Sequence, residues 1–259
     1  MPAATREVHL QVADRVARLT LSHPPLNILT ISIMKDIAAA IQRIGTMTDV
    51  CAIVLAASSS SRAFSAGVSV EEHRPETVYQ MLEAFHSIFR GLNAVSKPVV
   101  ALVAGNALGG GCELVAFADI VIAGQSARFG QPEIKLGVFP PVSCCILPRV
   151  IGEKKAREMV FTGELLTAEE ARAVGLVNYV VPELELEAKA AEVLAVLRQM
   201  SVPALEKARR AIAETAGMPF EDALKHAEQI YLNDLMSFRD PLEGVQAFVE
   251  KRTPVWKHK

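Results

Sequence analysis

Residues 99–113 read VVALVAGNALGGGCE, and this stretch decides the fold because it runs from strand through turn to helix. Val99–Ala104 is an unbroken apolar run of strand length, and Gly105–Gly111 is a glycine-rich turn into a helix that begins near Gly111. Such a turn directs free backbone N–H groups and the positive end of a helix dipole at its occupant. The stretch therefore favours a phosphate or a developing oxyanion as ligand, and it ends at a carboxylate, Glu113.

Nucleotide-binding motifs do not fit this turn, because its spacing is G-x-x-x-G-G-G rather than G-x-G-x-x-G and the chain has no G-K-[ST]. A second loop, Ala63–Val68, reads AFSAGV and also follows an apolar run, Cys51–Ala56. Two such loops on neighbouring strands can bring two backbone amides together as an oxyanion hole. The alternative is that the glycines only permit tight packing.

A second carboxylate, Glu133, closes the segment FGQPE at 129–133 and stands twenty positions after Glu113. Like Glu113, it lies beside glycine-dependent backbone, where a substrate can approach main-chain amides. Two carboxylates near one such site can share a water molecule and perform acid/base chemistry on it. The pair is therefore the candidate catalytic centre.

Composition limits the classes of partner. The chain has 259 residues with 27 basic and 29 acidic side chains, and it contains no long Lys/Arg run, so we expect a small-molecule partner and no nucleic acid. Apolar runs such as 98–104 are far shorter than the roughly 18 residues of a membrane span, and the N-terminus does not resemble a signal peptide. The four cysteines form no C-x-x-C pair, which predicts buried free thiols, no metal site and a cytoplasmic location.

The order of elements predicts an α/β architecture with covered sheets. A hairpin (8–21) precedes a helix (31–44), and continuous apolar strands then alternate with helices up to about residue 150. From Glu153 the pattern is almost wholly helical, apart from a strand at 176–181. We divide the chain into a core at 1–198, which carries the site, and a helical cover or oligomer contact at 199–259.

Several segments together resemble the enoyl-CoA hydratase/isomerase (crotonase) superfamily, in collinear order from about residue 8 to residue 252. The segments that carry the resemblance are Leu21-x-x-Pro24 with Asn27, Ala63–Gly67, Ala104–Leu114, Phe129–Glu133, Phe161–Gly163, Ala168–Val177 and Glu243–Arg252.

The resemblance implies a spiral of β-β-α turns with a helical C-terminal region that builds trimers, often paired into hexamers. It implies an acyl-CoA substrate whose thioester carbonyl binds the N–H groups of Val68 and Gly111, with Glu113 and Glu133 as the catalytic carboxylates. Coenzyme A is then part of the substrate, and no metal or other cofactor is expected. The residues that it implies for substrate or CoA binding are Pro25, Leu26, Ala66, Gly67, Gly110, Pro141, Phe248 and Lys251, the last two from the same or another subunit.

Two segments depart from the common hydratase pattern, and both predict an altered acyl pocket. Gly67-Val68-Ser69 stands where Gly-Ala-Asp is usual, and 137–149 (GVFPPVSCCILPR) replaces a glycine-rich stretch with a stiffer backbone. These segments resemble the cyclohexa-1,5-diene-1-carbonyl-CoA hydratases, which add water to a cyclic dienoyl-CoA. The alternatives are a general short-chain enoyl-CoA hydratase, a double-bond isomerase, or a non-catalytic CoA-binding relative, although both glutamates argue against the last.

Two histidines could contribute to such a pocket. His73 follows the first glycine loop, and it lies either near the acyl group or in a solvated loop. His86 is on the apolar face of a predicted helix, 78–95, which favours a packed histidine.

Overall fold

Ten strands and ten α-helices follow one another in the computed structural model, which describes residues 7–258. The strands are β1 (Val8–Ala13), β2 (Val16–Leu21), β3 (Ala52–Ala57), β4 (Ala63–Ser65), β5 (Val99–Val103), β6 (Asn106–Leu108), β7 (Ile120–Gly124), β8 (Arg128–Gly130), β9 (Leu165–Thr167) and β10 (Tyr179–Val181). The helices are α1 (Ile31–Gly45), α2 (Val78–Val95), α3 (Gly110–Phe117), α4 (Pro141–Ile151), α5 (Glu153–Thr162), α6 (Ala168–Ala173), α7 (Leu186–Arg198), α8 (Val202–Thr215), α9 (Phe220–Gln229) and α10 (Asp240–Val249).

The strands form two sheets, and the chain passes repeatedly from a strand of the larger sheet to a strand of the smaller one. The six-stranded sheet has the order β1-β2-β3-β5-β7-β10, and the four-stranded sheet has the order β4-β6-β8-β9. Each of β3, β5 and β7 continues into a short strand of the second sheet and then into a helix, which gives three successive β-β-α turns. The expected α/β spiral is therefore confirmed. Because β4, β6 and β8 pair in parallel, the segments that follow them leave the same edge of the small sheet.

The core has two parts, one on each side of the large sheet. The larger part packs α1 and α2 against the sheets, and side chains such as Phe64 and Phe129 are fully buried in it. The smaller part packs α7 against β3, β5 and β7. Phe64 lies on β4, just before the loop that begins at Ala66. Replacing a buried phenylalanine with alanine lowers the free energy of unfolding by about 3–5 kcal/mol. Core packing therefore fixes the position of the loop that follows β4.

The C-terminal helices are joined to the core by ion pairs. Lys97 is buried, and its Nζ donates to Glu206 of α8 at 2.5 Å and to the carbonyl of Val50 at 2.9 Å. Arg209, also on α8, binds Asp119 at 2.7 Å. Removing one partner of a buried pair is costly, because the other charge is left uncompensated. The division of the chain at residue 198 stays a prediction.

Most long elements lie where the pattern placed them, and the differences have physical reasons. Helix α2 has the predicted bounds, but the strand expected at 176–181 starts only at Tyr179, since Leu176 and Val177 are buried in the core without joining the sheet. The thiols of Cys144 and Cys145 are exposed on α4, so the prediction that all four cysteines are buried is wrong for these two. Within residues 7–258, no helix is both long and apolar enough to cross a membrane.

Candidate active site

A cavity of about 390 Å³ opens where the segments after β4, β6 and β8 meet α2 and α4. Its wall is largely apolar, and within it Glu113 and Glu133 are the only carboxylates among the lining residues. The lining residues are Ala66, Gly67, Val68, Val70, His73, Val78, Met81, Leu82, Phe85, Gly109, Gly110, Glu113, Pro132, Glu133, Leu136, Gly137, Val138, Phe139, Pro140 and Pro141. The two glutamates that the sequence singles out therefore face the same cavity.

Glu113 lies in the first turn of α3, where its backbone N–H donates to the carbonyl of Gly109 at 2.9 Å. Its side chain is only 3% exposed, and Oε1 accepts from the N–H of Ser143 at 2.8 Å. Burial raises the pKa of Glu113 to about 8, because the charged form loses its water; the Ser143 N–H opposes this shift and the nearby Glu133 adds to it. Glu113 is thus a carboxyl that holds its proton near neutral pH.

Glu133 is half-buried in the short 3₁₀ turn Pro132–Leu136 that follows β8. Burial raises the pKa of its carboxyl to about 7, and a backbone N–H opposes the shift. Two interacting carboxyls of this kind titrate as a pair rather than independently. Near neutral pH the pair can therefore hold one proton and one negative charge, as general acid/base catalysis requires.

The loops after β4 and β6 approach one another through their backbones. Gly67 has φ +100°, and a Cβ atom there would lie 2.9 Å from the carbonyl oxygen of Leu108 and 3.3 Å from the nitrogen of Gly110. Glycine is needed because no L side chain fits this contact or readily adopts this φ. The two glycine loops therefore lie against one another, and the formation of an oxyanion hole by their amides stays a prediction.

The structure distinguishes between the neighbouring glycines at the start of α3. Gly110 lies on the cavity wall beside Val68, and a Cβ atom there would be 2.9 Å from Val68 Cγ2. Gly111 is buried against the carbonyl of Ser65 and is not among the lining residues. The helix begins at Gly110, one residue earlier than the sequence pattern indicated, and Gly110 is the one of these two first-turn glycines that lines the cavity. The role expected of the Gly111 amide stays a prediction.

Asn27 supports the first glycine loop, and its part in the site could not be read from the sequence. Its side chain is 1% exposed, and Nδ2 donates to the carbonyls of Ala63 and Phe64 at 3.0 Å each. Ser65 Oγ donates to the Asn27 carbonyl at 2.8 Å and accepts from the N–H of Gly67 at 3.1 Å. These bonds fix the backbone that carries Val68.

The residues expected to bind the substrate or CoA fall into three groups. The first group lines the cavity and consists of Ala66, Gly67, Gly110 and Pro141. Pro25 and Leu26 are exposed in the loop after β2, and the N–H of Ala66 donates to the Leu26 carbonyl at 2.9 Å, so this loop adjoins the cavity. Phe248 is 85% exposed on α10, and Lys251 is exposed just after it. Neither of these two lines the cavity within the single chain.

Both histidines have defined surroundings. His73 lines the cavity rather than lying in a solvated loop, and its Nδ1 donates to the carbonyl of Ser69 at 2.9 Å. His86 lies beside Phe85, with ring centroids 6.2 Å apart, and its Nε2 is buried without a hydrogen-bond partner in the part of the chain that the structure describes. Burial lowers the pKa of His86 and favours the neutral ring, which is consistent with a packing role.

Known proteins share this arrangement over nearly the whole chain. Residues 11–259 match the enoyl-CoA hydratase/isomerase family, and the chain belongs to that family. A probable enoyl-CoA hydratase of Mycobacterium bovis is 36% identical over 249 residues, covering 95% of this chain and 96% of that protein. The cyclohexa-1,5-dienecarbonyl-CoA hydratase of Thauera aromatica is 32% identical over 254 residues, covering 98% of this chain and 97% of that protein.

A solved structure shows the same fold. The crystal structure of an enoyl-CoA hydratase from Bacillus anthracis superposes with a TM-score of 0.92 at 30% identity, covering 98% of this chain and 100% of that chain. The crotonase fold and the resemblance drawn from the sequence are thereby confirmed. The expectation that the chain is an enzyme of the hydro-lyase type is confirmed by the family and by these relatives.

Proposed function

We propose that this enzyme adds water to a conjugated enoyl- or dienoyl-CoA thioester and that cyclohexa-1,5-diene-1-carbonyl-CoA is its substrate. The observation that carries the proposal is the pair Glu113 and Glu133, which face one apolar cavity beside the amides of Val68 and Gly110. A site with one carboxylate would suffice for moving a double bond. The pair suits hydration, because water must lose a proton while a carbon gains one.

In the proposed reaction, the N–H groups of Val68 and Gly110 bind the thioester oxygen, with Gly110 taking the place first assigned to Gly111. Negative charge develops on that oxygen as the water oxygen bonds to the β-carbon, and one preorganised donor is worth about 3–4 kcal/mol there. Glu113 holds the water, and Glu133 takes the larger part in moving the proton. The carboxyl proton is delivered to the α-carbon, and the carboxylate takes a proton from the water, so the pair ends with its charge unchanged.

The shape of the acyl space supports a cyclic substrate. Pro140 and Pro141 form one wall, and neither proline has a backbone N–H to offer a ligand. Another part of the wall is apolar, with Met81, Leu82 and Phe85 from α2. A rigid, apolar wall of this kind suits a compact ring better than a flexible chain. The Thauera relative, whose name specifies the cyclic dienoyl thioester, is similar over 98% of the chain.

A general short-chain enoyl-CoA hydratase is the second candidate. It is favoured by the higher identity, 36%, of the probable enoyl-CoA hydratase of M. bovis. A double-bond isomerase uses the same carbonyl-binding amides and is the third candidate. A non-catalytic CoA-binding protein would not need two buried carboxyls with raised pKa values.

Assembly into a trimer, or into a pair of trimers, is also part of the proposal. Apolar side chains are exposed along α10 in the single chain: Val245, Phe248 and Val249 are 67%, 85% and 70% exposed. Burial of such a face stabilises an oligomer by about 25 cal/mol per Å² of apolar surface. Phe248 and Lys251 would then approach the CoA bound by a neighbouring subunit. Sedimentation of wild type against Phe248→Asp tests this, with Leu184→Asp as the control on an exposed residue elsewhere; an unchanged sedimentation coefficient for Phe248→Asp would argue against the α10 contact.

We further propose that the enzyme needs no redox cofactor or metal, because hydration transfers no electrons. A reducing cytoplasm suits its four free cysteines.

The decisive experiment follows the loss of absorbance of the conjugated thioester with crotonyl-CoA and with cyclohexa-1,5-diene-1-carbonyl-CoA. We expect turnover of both, with the larger kcat/KM for the cyclic substrate. A preference for crotonyl-CoA would overturn the substrate assignment and leave the hydratase standing. No loss of absorbance with either substrate would overturn the hydratase assignment.

A further inference from the structure

Ser143 lies in the first turn of α4, where it contacts Glu113 directly and Glu133 through Gln131. Its side chain is fully buried, and its backbone N–H donates to Glu113 Oε1 at 2.8 Å. Its Oγ lies 2.6 Å from the side-chain amide of Gln131. The helix starts at Pro141, which places Ser143 against the end of β8 rather than toward solvent.

Gln131 continues this contact to Glu133. Its amide is fully buried between Ser143 Oγ and the Glu133 carboxylate. With the nitrogen toward Glu133, the amide donates to Oε2 and Oε1 at 3.2 and 3.3 Å, and its oxygen accepts from Ser143 Oγ at 2.6 Å. In the opposite orientation the amide oxygen would face the carboxylate, so the first orientation is the one that satisfies both ends.

We propose that Ser143 is a positioning residue that holds the two carboxylates in a single hydrogen-bonded frame, with its N–H on Glu113 and its hydroxyl acting through Gln131 on Glu133. The inference rests on the proposed function for its catalytic consequence, but the frame itself is a property of the ligand-free protein. Among the described residues, no other residue is hydrogen-bonded to the side chains of both Glu113 and Gln131.

The hydroxyl has a specific electrostatic effect. A hydroxyl that donates to the amide oxygen polarises the amide, and the amide N–H then donates more strongly to an ionised carboxylate. The effect on a neutral carboxyl is smaller, because charge-assisted bonds are the stronger ones. Ser143 Oγ therefore favours the ionised form of Glu133. Removing the hydroxyl is expected to raise the pKa of Glu133 further above its ordinary range.

The other titratable groups around Glu133 are few. Glu113 and Cys112 face it from α3, Cys144 faces it from α4, and His73 lines the same cavity from the turn before α2. No lysine or arginine is among the residues that line the cavity. Within residues 7–258 no lysine or arginine is hydrogen-bonded to Glu133, and the nearest basic residue in sequence, Lys135, lies on the same turn.

The test compares wild type with Ser143→Ala and Ser143→Gly. In ligand-free protein labelled with ¹³C-glutamate, the side-chain carboxyl signal of Glu133 is identified by its absence in Glu133→Gln and is then titrated. We expect both variants to raise the titration midpoint by about 0.5–1 pH unit, a fraction of the effect that losing a whole charge-assisted bond has on a pKa, because the hydroxyl acts through the amide. We expect the acidic limb of the kcat/KM profile to move upward by the same amount, with kcat lowered about 10-fold and KM changed less than about 2-fold.

Two further variants separate positioning from loss of packing. Ser201→Ala removes another buried hydroxyl, which bonds Asp240 at 2.7 Å far from the cavity, and it should leave the Glu133 midpoint unchanged. Gln131→Met should raise the midpoint by itself, and adding Ser143→Ala to it should produce no further shift, because the hydroxyl acts through the amide. An unchanged midpoint in Ser143→Ala and Ser143→Gly would overturn the proposal, as would an additive shift in the double variant. If wild type shows no hydration, the proposed function is wrong. The titration of Glu133 in the ligand-free protein would still test whether Ser143 positions the carboxylates.

Discussion

Glu133 Oε1 occupies the space in which a side chain at Gly109 would begin: a Cβ atom there would lie 2.6 Å from that oxygen. Gly109 has φ +51° and precedes the helix that carries Glu113. One residue without a side chain thus allows both carboxylates to approach the same cavity. The relationship leads directly to the first prediction.

Gly109→Ala should displace the Glu133 carboxylate and reduce turnover by about 100-fold or more, because small misplacements of catalytic groups have effects of that size. Steady-state kinetics measure the loss. Gly152→Ala is the matched control: Gly152 also has a positive φ, +78°, but nothing lies within 4 Å of its Cβ position. It should share the backbone strain of about 1–2 kcal/mol without the loss of turnover. Equal turnover in the two variants would contradict the displacement.

Glu133→Gln should lose most turnover, about 10²–10⁴-fold, because an amide cannot exchange the proton. Binding of acyl-CoA should persist, since the amides of Val68 and Gly110 remain in place. Calorimetric titration with a saturated acyl-CoA, alongside the absorbance assay, measures the two effects separately. Full turnover in this variant would show that Glu133 does not handle the proton.

Glu113→Gln should make the fold more stable than wild type as the pH rises. The carboxyl of Glu113 has a folded pKa of about 8, above its ordinary value of 4.5, so the folded state holds a proton that the unfolded state releases. Stability from this group is present below about pH 4.5 and is lost as the pH rises through 8. Glutamine carries no such penalty and can still accept from Ser143 N–H.

The measurement is the free energy of unfolding in urea at pH 5.5 and at pH 8.5. The advantage of Glu113→Gln over wild type should grow by about 1–3 kcal/mol between these two conditions. Glu228→Gln, at an exposed position, serves as control and should show no such growth. A constant difference across the pH range would mean that Glu113 does not keep its proton in the folded state.

Pro141→Gly should loosen the wall formed by the start of α4 and shift preference toward straight-chain substrates. Glycine restores backbone freedom that proline removes. The ratio of kcat/KM for crotonyl-CoA to that for the cyclic dienoyl-CoA should rise by about 10-fold, a change within the 1–3 kcal/mol that pocket shape supplies. Pro219→Gly, before α9 and away from the cavity, should leave the ratio unchanged. A ratio that is the same in Pro141→Gly and wild type would remove Pro141 from substrate selection.

The sequence predicts those helices and strands whose hydrophobic pattern extends over several residues. Helix α2 shows its helical period over many positions, and the run 51–56 identifies most of strand β3. The three-residue strands β6 and β8 are too short for any period to be visible, and they gain their hydrogen bonds only from neighbouring strands of the small sheet. Such strands exist because tertiary packing holds them.

Some residues of the candidate site can likewise be predicted from the sequence, and others cannot. Glu113 and Glu133 could be selected because each closes a glycine-containing motif. Gln131 and Ser143 could not, since their roles depend on a contact across twelve positions that only the folded chain forms. The offset between Gly110 and Gly111 depends on where a helix begins, and a run of three glycines has no side chain to mark that point.

The spiral connectivity separates two tasks along the chain. The backbone around Val68 and Gly110 belongs to the first two β-β-α turns, whereas 137–149 belongs to the third. In the proposed reaction, the amides that bind the carbonyl lie in the first two β-β-α turns. The proline wall of the acyl space lies in the third turn, and α2 of the first turn contributes the remaining apolar wall. A chimera that receives 137–149 from a straight-chain hydratase should inherit the donor's acyl preference while it keeps its own thioester-polarising loops.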